Sequence, residues 1–401
     1  MNSEREQRLL FTNARIFSPT GAWEVGWLMT EGPRIKLMAP GHAPEFGPGY
    51  VTQIIDATHL SLLPGFIDIH AHGAVGVDTM DASPEGLREV ARYYARHGVT
   101  AYLPTTWTAS RDAIRTALHA IRETKGRVSG GATIVGAHLE GPYLNRGNAG
   151  AQDPEFIRVA ERDEALEFLD TGVIRVVTLA PEHDEHLWLV TECCRRGIVA
   201  SAGHTSCDYD LMAEAAVRGL RHVTHSFNAM GYLNHRQPGT LGAALGLAGI
   251  SCELIADNIH VHPVVMKILV AAKGPGRVIL ITDAVRWAGS EDGIYQMDHR
   301  DVVVKDGAVR LASGALAGSM LTMNRALQNI TRATGRDLAE LWPMSSLNAA
   351  RAIGVSDVKG SLEVGKHADL VLLDDDFGVY MTVAEGDIVY SSVAGVPGTA
   401  R

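Results

Sequence analysis

Residues 65–73 read GFIDIHAHG, an apolar run that closes on two histidines, His70 and His72, two positions apart. On an extended strand such residues share a face, so both rings can reach one point. Four further stretches end in the same way. They are GAHLEGPY at 136–143, closing on Glu140; ASAGHT at 200–205, closing on His204; HVTHSFNAM at 222–230, with His225; and VILITDAV at 278–285, with Asp283. A single histidine is usually an ordinary core or surface residue, but His70, His72, Glu140, His204 and His225 placed alike at strand ends, with Asp283 as a sixth member, are not explained that way.

Between residues 65 and 285 the chain alternates apolar runs (65–70, 99–105, 133–140, 173–180, 198–204, 222–225, 252–257 and 278–283) with longer segments. Segments 84–97, 110–124 and 209–219 carry the apolar spacing of amphipathic helices. Eight strand–helix units predict a parallel sheet closed into a (β/α)8 barrel of the TIM type, in which the C-terminal strand ends carry the active site. All the ligand-type residues fall at those ends. The two chain ends instead read as short strands with turns, at 8–60 and 360–395, neither numerous enough to bury a face alone. The expected organisation is a barrel over 61–358 and one small β-sandwich built from 1–60 and 359–401. A strand pair between 295 and 311 is expected as an insertion after the eighth strand.

With 46% hydrophobic residues and no apolar stretch near the roughly twenty residues of a membrane span, the chain reads as a globular protein without a membrane partner. Lys and Arg total 36 against 46 Asp and Glu, a net charge of −10 that disfavours a nucleic-acid surface. The opening MNSEREQRLL is too charged for a secretory signal, so a cytoplasmic location is expected. Cys193, Cys194, Cys207 and Cys252 form no CxxC pair and suggest neither disulfides nor a structural zinc site.

Imidazole and carboxylate are the ligands zinc and iron(II) accept, and a catalytic site keeps a position open for water. One or two divalent cations, with zinc or iron expected, therefore suit His70, His72, Glu140, His204 and His225. Some related barrels bridge two metals with a modified lysine from the fourth strand. Here that strand ends Thr178-Leu179-Ala180-Pro181, which leaves Glu140 as the bridge. Asp283 suits general base and then general acid work on a metal-activated water, with a purely structural ligand role as the alternative. Arg236 in NHRQPGT offers a planar fork for an anion, while Asn228 and Ala229 offer an amide and backbone N–H groups. Gln152 and His260 lie just beyond strand ends, and a turn over 316–319 would let backbone approach a ligand at Gly318.

In order along the chain, LLPGFIDIHAHG, VDTMDAS, HLEGPY, AGAQ, VTLAPE, SAGHT, THSFNAM, HRQPG, ELIADNIHVHP, LITDA, LAGSMLTMN, NAARAIG and KGSLEVGKHADLVLLD resemble the N-acetylglucosamine-6-phosphate deacetylase family of the amidohydrolase superfamily. The resemblance implies a metal barrel plus a β-sandwich from both ends, and hydrolysis of the sugar acetamide to glucosamine 6-phosphate and acetate. It implies that Glu140, His204 and His225 form the common metal site, that His70 and His72 add the pair of a two-metal subtype, and that Asp283 transfers the proton. Substrate contacts carry over to Ala151, Gln152, Asn228, Ala229, His235, Arg236, Asp257, Asn258, Ile259, His260, Leu316, Ala317 and Gly318. Asn228, Ala229 and Arg236 suit the phosphate, and the family takes the His-Arg pair, here His235 and Arg236, from the neighbouring subunit of a homodimer. The chain departs from the family pattern in three places. Ser226-Phe227 stands where Leu-Tyr is usual, Asn258 where Gly is usual, and Gln152 where many members carry His. The first two border the sugar, which leaves the galactosamine epimer, or another amide, as an alternative substrate. A non-catalytic sugar-phosphate sensor would need neither the full ligand set nor a base.

Overall fold

A computed structural model describes residues 7–297 and 300–393. Eight parallel strands line up in chain order: β1 (Phe66–Ala71), β2 (Val99–Thr106), β3 (Ala137–Glu140), β4 (Ile174–Leu179), β5 (Val199–Ala202), β6 (His222–Val223), β7 (Ser251–Ile255) and β8 (Val278–Ile281). The third run is interrupted: Thr133–Ile134 pairs separately with β2, and Gly136, at φ +156°, takes the chain into β3. The barrel closes between β1 and the residues after β8, where the Asp283 N–H donates to His70 O (2.9 Å) and the His72 N–H donates to Ala284 O (2.8 Å). Buried Asp68 reinforces this seam by accepting from the Thr282 hydroxyl at 2.6 Å and from the His70 N–H at 3.2 Å. Burial pushes its carboxyl up to about 6, against the pull of those donors.

The expected helices form with the caps their sequences supply. Pro84–Ala95 starts behind Ser83, whose side chain accepts from the Gly86 N–H. Arg111–Thr124 starts behind Ser110, and Tyr209–Arg218 runs from the Asp208 cap to Gly219 in the left-handed region at φ +118°. Their apolar faces meet the barrel core.

The two chain ends meet in one eight-stranded sheet. Ser61–Pro64 pairs in parallel with Leu9–Ser18 and antiparallel with Leu370–Leu373. The continuous sheet therefore runs a few residues past position 60 before the barrel begins. It folds around its own core of Leu9, Phe11, Ile16, Leu28, Leu62, Leu370, Leu372 and Val383. Residues 1–6 and 394–401, which complete the expected bounds of this unit, lie outside the described residues. The insertion after β8 is larger than the expected pair: Gly293–Met297, Arg300–Lys305, Ala308–Leu311 and Leu316–Ser319 form a four-stranded antiparallel sheet. Residues 316–319, read from sequence as a turn, are thus its last strand, because Ser319 pairs with Ala284 beyond β8 as well as with Ala308. No helix among the described residues is long and apolar enough to cross a membrane.

Candidate active site

The C-terminal strand ends carry a pocket of about 280 Å³ lined by His72, Glu140, His204, His225 and Asp283, with Gln152, Asn228 and His260 around them. His70, fully buried, sits directly beneath. Glu140 is the hub. Its Oε1 lies 3.1 Å from His225 Nε2, 3.4 Å from His204 Nε2 and 3.4 Å from His70 Nε2, while Oε2 lies 3.3 Å from His72 Nε2. Asp283 Oδ1 faces the first-strand pair, 3.2 Å from His72 Nε2 and 3.5 Å from His70 Nε2. The spacing of two in HAH thus puts both rings between two carboxylates.

Ring orientation follows from what each Nδ1 does. The Nδ1–H of His72 donates to Thr105 O at 3.2 Å, that of His204 to Asn148 O at 2.8 Å and that of His70 to Glu253 Oε2 at 3.1 Å. Each bond leaves an Nε2 lone pair aimed at the centre, which is how metal-binding histidines are held. His70, His72 and Glu140 form one compact ligand group, and Glu140, His204 and His225 form another. The donor set fits a divalent cation on two counts. His70 Nε2 is buried without a hydrogen-bond partner, and the Nε2 atoms of His204 and His225 stand only 3.1 Å apart, a convergence of lone pairs that a cation resolves. The electrostatics agree. Burial disfavours charge on His72, yet Asp283 and Glu140 draw it up to about 9. Burial also pushes the Asp283 carboxyl up, but the His70 and His72 rings outweigh it and hold the group near 2.

The backbone is strained where the site is built. His204 (φ +50°), His225 (+28°), Phe227 (+79°), Ala229 (+51°), Asn258 (+66°) and Asp283 (+50°) all occupy the left-handed region that non-glycine residues avoid. Strain of about 1–3 kcal/mol per residue persists where the surrounding structure over-determines it, commonly at functional sites. Asn258 is exposed in this conformation. Asn tolerates the left-handed region better than most residues, so it can stand where glycine is usual without altering the backbone.

Of the candidate substrate contacts, Ala151, Gln152, Asn228, Ala229, His260, Leu316 and Gly318 line the pocket. Gln152 is anchored, its Oε1 accepting from the Thr108 N–H at 2.7 Å and its amide donating to Glu140 Oε2 at 2.6 Å. His260 is braced by Asp257, its Nδ1 lying 2.6 Å from Oδ2, while Ile259 and Asn258 sit on the exposed rim. Ala317 faces the other way, into the small core under the insertion. His235 and Arg236 are exposed and lie outside this chain's pocket.

Several residues of the site were not anticipated. Trp107 stacks on His72 with ring centroids 4.0 Å apart and donates to Asp78 Oδ2 at 3.2 Å. Glu253 orients His70 from inside the barrel, and His138 packs on His70 at 4.5 Å. His138 donates from Nδ1 to Ile69 O and accepts from the Thr178 hydroxyl at Nε2, and burial lowers it to about 3, so it stays neutral. His138 stands in HLEGPY two positions before Glu140, the same spacing as in HAH. Trp107 and Glu253 carry no local signal.

The sequence pattern of the amidohydrolase family matches residues 61–389. The chain is 41% identical over 336 residues to N-acetylglucosamine-6-phosphate deacetylase of Bacillus subtilis, spanning 82% of this chain and 85% of the relative. It is 39% identical over 330 residues to N-acetylgalactosamine-6-phosphate deacetylase of Escherichia coli O157:H7, spanning 82% and 87%. Among solved structures, a mutant N-acetyl-D-glucosamine-6-phosphate deacetylase from Mycobacterium smegmatis, in complex with N-acetyl-D-glucosamine-6-phosphate, superposes with a TM-score of 0.88 at 30% identity, covering 96% of this chain and all of the other. The chain belongs to the amidohydrolase family and, within it, to the amino-sugar-6-phosphate deacetylases.

Proposed function

We propose that the chain hydrolyses the acetamide of N-acetylglucosamine 6-phosphate, giving glucosamine 6-phosphate and acetate. The observation that carries this reading is Glu140 centred among four histidine rings, with Asp283 facing the same pocket. His70, His72, Glu140, His204 and His225 would hold one or two divalent cations, zinc or iron, with Glu140 shared between two. Such a cation supplies Lewis acidity, lowering the pKa of water towards about 7 and polarising the amide carbonyl. Asp283 accepts the proton of the attacking water as the new C–O bond forms. It then returns that proton to the amide nitrogen as the C–N bond breaks, so one carboxylate serves as base and then acid. The carboxylate enters the cycle ionised, as the base step requires.

Within one chain the Ala229 N–H is the open phosphate donor of the pair, while the Asn228 amide donates to the carbonyls of His225 (3.2 Å) and Ser226 (3.3 Å) and would have to exchange one of these to reach a phosphate. Arg236 and His235 would serve the pocket of a second copy, which makes the working unit a homodimer. Supporting this, the segment before them exposes Tyr232 (95%) and Leu233 (55%), apolar surface suited to burial against a partner. The four thiols are free, which suits a reducing cytoplasm.

The galactosamine epimer is the second reading, favoured by near-equal identity to the two relatives. Acetate release from N-acetylglucosamine and N-acetylgalactosamine, each with and without a 6-phosphate, tests both. The expected order is 6-phosphates far above free sugars, with the gluco epimer first; turnover indifferent to the phosphate rejects the assignment. Elemental analysis tests the metals. Up to two ions per chain are expected, reduced when His70 and His72 are both replaced by Ala, and a single ion unaffected by that change rejects the two-metal form.

A further inference from the structure

The four histidines around Glu140 are not supported alike. On the side away from the centre, the His72 ring donates to the carbonyl of Thr105 and the His204 ring to that of Asn148, while His225 Nδ1 has no partner. Of the four, only His70 has a carboxylate at its back: its Nδ1 lies 3.1 Å from Glu253 Oε2, and both residues are 0% exposed. We propose that Glu253 is a positioning residue for the cation pair, deciding whether an ion is held at His70 and His72 beside the one at Glu140, His204 and His225. This inference rests on the two-cation reading above and names the group that makes the second ion stable.

Geometry is the first support. A carboxylate that accepts from Nδ1–H fixes the tautomer and plane of the ring and makes Nε2 a stronger metal donor, an effect worth about 10-fold to 100-fold in affinity. A backbone carbonyl orients a ring without adding charge. Glu253 stands in the middle of β7, buried inside the barrel. His70, His138 and Glu253 also lie close enough together to hold an ion themselves. Both His138 nitrogens are taken, however, by Ile69 O and the Thr178 hydroxyl, and His70 Nδ1 carries the proton that Glu253 accepts. The trio is therefore a support for an ion on the other side of the His70 ring.

Charge is the second support. Glu140, Asp283 and Glu253 are buried carboxylates whose ion-pair partners, among the described residues, are all histidines. Histidines bind metal as neutral rings. One divalent cation answers two of the three carboxylates and leaves the third to be met at His70 and His72, where the second ion would sit. Glu253 is also short of local donors. Its Oε1 is buried with no hydrogen-bond partner, whereas buried Asp68 takes the Thr282 hydroxyl and the backbone N–H groups of His70 and Thr282. A buried charge that its own surroundings leave under-satisfied is balanced by a cation across the ring.

The test equilibrates the metal-loaded protein with buffers of graded free Zn²⁺ and counts the bound ions at each level. The parent is expected to hold two ions and to release them in two steps; the step missing from the His70→Ala, His72→Ala protein identifies the ion at that pair. Glu253→Gln removes the charge but keeps an oxygen to accept from the His70 Nδ1–H and from the His225 backbone N–H, now 3.4 Å from Oε2. It is expected to release the ion of the His70–His72 pair at about 10-fold to 100-fold higher free Zn²⁺, with the other step unmoved and the two-ion count recovered in excess Zn²⁺. A merely structural role would shift both steps together. Should Glu253→Gln fail to fold, as judged by circular dichroism, Glu253→Asp carries the comparison, because it withdraws the charge from His70 by one methylene; the same step should move in the same direction. Steps that match the parent, or that shift together, overturn the proposal and leave the two-cation reading standing. A parent that holds one ion, with no step removed in the His70→Ala, His72→Ala protein, overturns that reading and the proposal with it.

Discussion

The protein buries two clusters of ionisable groups, and they are built on opposite terms. Beneath the end sheet, Lys359 lies 5% exposed and donates to Asp369 Oδ2 and Glu385 Oε1, both at 2.9 Å. Asp369 Oδ1 accepts from the Glu385 N–H at 2.9 Å, and Glu385 also accepts from Thr133 of the barrel at 3.1 Å. Lys359 and Arg127, whose Nε lies 3.6 Å from Glu385 Oε2, balance the two carboxylates there, and the two parts of the molecule are pinned together. At the barrel mouth, two carboxylates face four histidines with their lone pairs converging, two ring nitrogens, His70 Nε2 and His225 Nδ1, have no partner, and the backbone is forced into the left-handed region at His204, His225 and Asp283. A buried charged cluster that closes on itself supports structure. One left open and strained awaits a ligand.

The sharpest way to break this contrast is at Asp283. Asp283→Asn is expected to keep the fold and the metal but to lower kcat by about 10²-fold to 10⁴-fold, the range for a lost general acid or base; near-normal turnover with intact metal content removes Asp283 from the proton path. Lys359→Met should do the reverse. Leaving Asp369 and Glu385 buried without their cation is expected to cost about 3–5 kcal/mol in urea denaturation, while kcat of the folded fraction stays near that of the parent. A stable Lys359→Met protein with impaired kcat would erase the distinction between the clusters. Arg236→Ala is expected to lower kcat/KM on the 6-phosphate by at least about tenfold, about 1.4 kcal/mol, with little change on the free sugar. If the arginine crosses between subunits, mixing Arg236→Ala with Asp283→Asn protein should recover one working site per mixed dimer, and no recovery would assign Arg236 to its own chain.

An effect on stability alone concerns His222, the buried ring at the other end of the barrel. Burial, with Arg277 adding to it, lowers this histidine to about 4 from an ordinary value near 6.5. Between those values the unfolded chain binds the proton and the native one does not, so stability is lost as pH falls through 6.5 towards 4. Denaturation free energies measured from pH 6.5 to 4.5 should fall more shallowly in His222→Asn, by about 1 kcal/mol per pH unit. Parallel slopes in the two proteins would show that His222 titrates normally.

Much of the barrel was legible because its signals are local. A strand needs only a short apolar run, and the residue closing that run projects from the C-terminal end whatever its neighbours are. His70, His72, Glu140, His204, His225 and Asp283 are therefore legible in the sequence as one mouth. Capping is equally local, and Ser83, Ser110, Asp208 and Gly219 mark their helices directly. The insertion after β8 was underestimated because 316–319 contains Gly318, whose φ of +70° is a turn signal, while its pairing with residue 284 depends on a partner far along the chain.

What the sequence determined by itself was which residues close the strands and what chemistry they share, since spacing along a strand sets the direction of a side chain. Only the tertiary structure decided the rest. It brought Glu253 to His70 across 183 residues, laid Trp107 against His72, and paired residues 61–64 with 370–373. It also left Arg236 exposed, outside the lining of its own chain's pocket, and gathered three arginines and a buried histidine at the far end of the barrel. The physical reason is that a contact between distant segments exists only after the loop between them has closed, and no local preference of either partner encodes which surface it will meet.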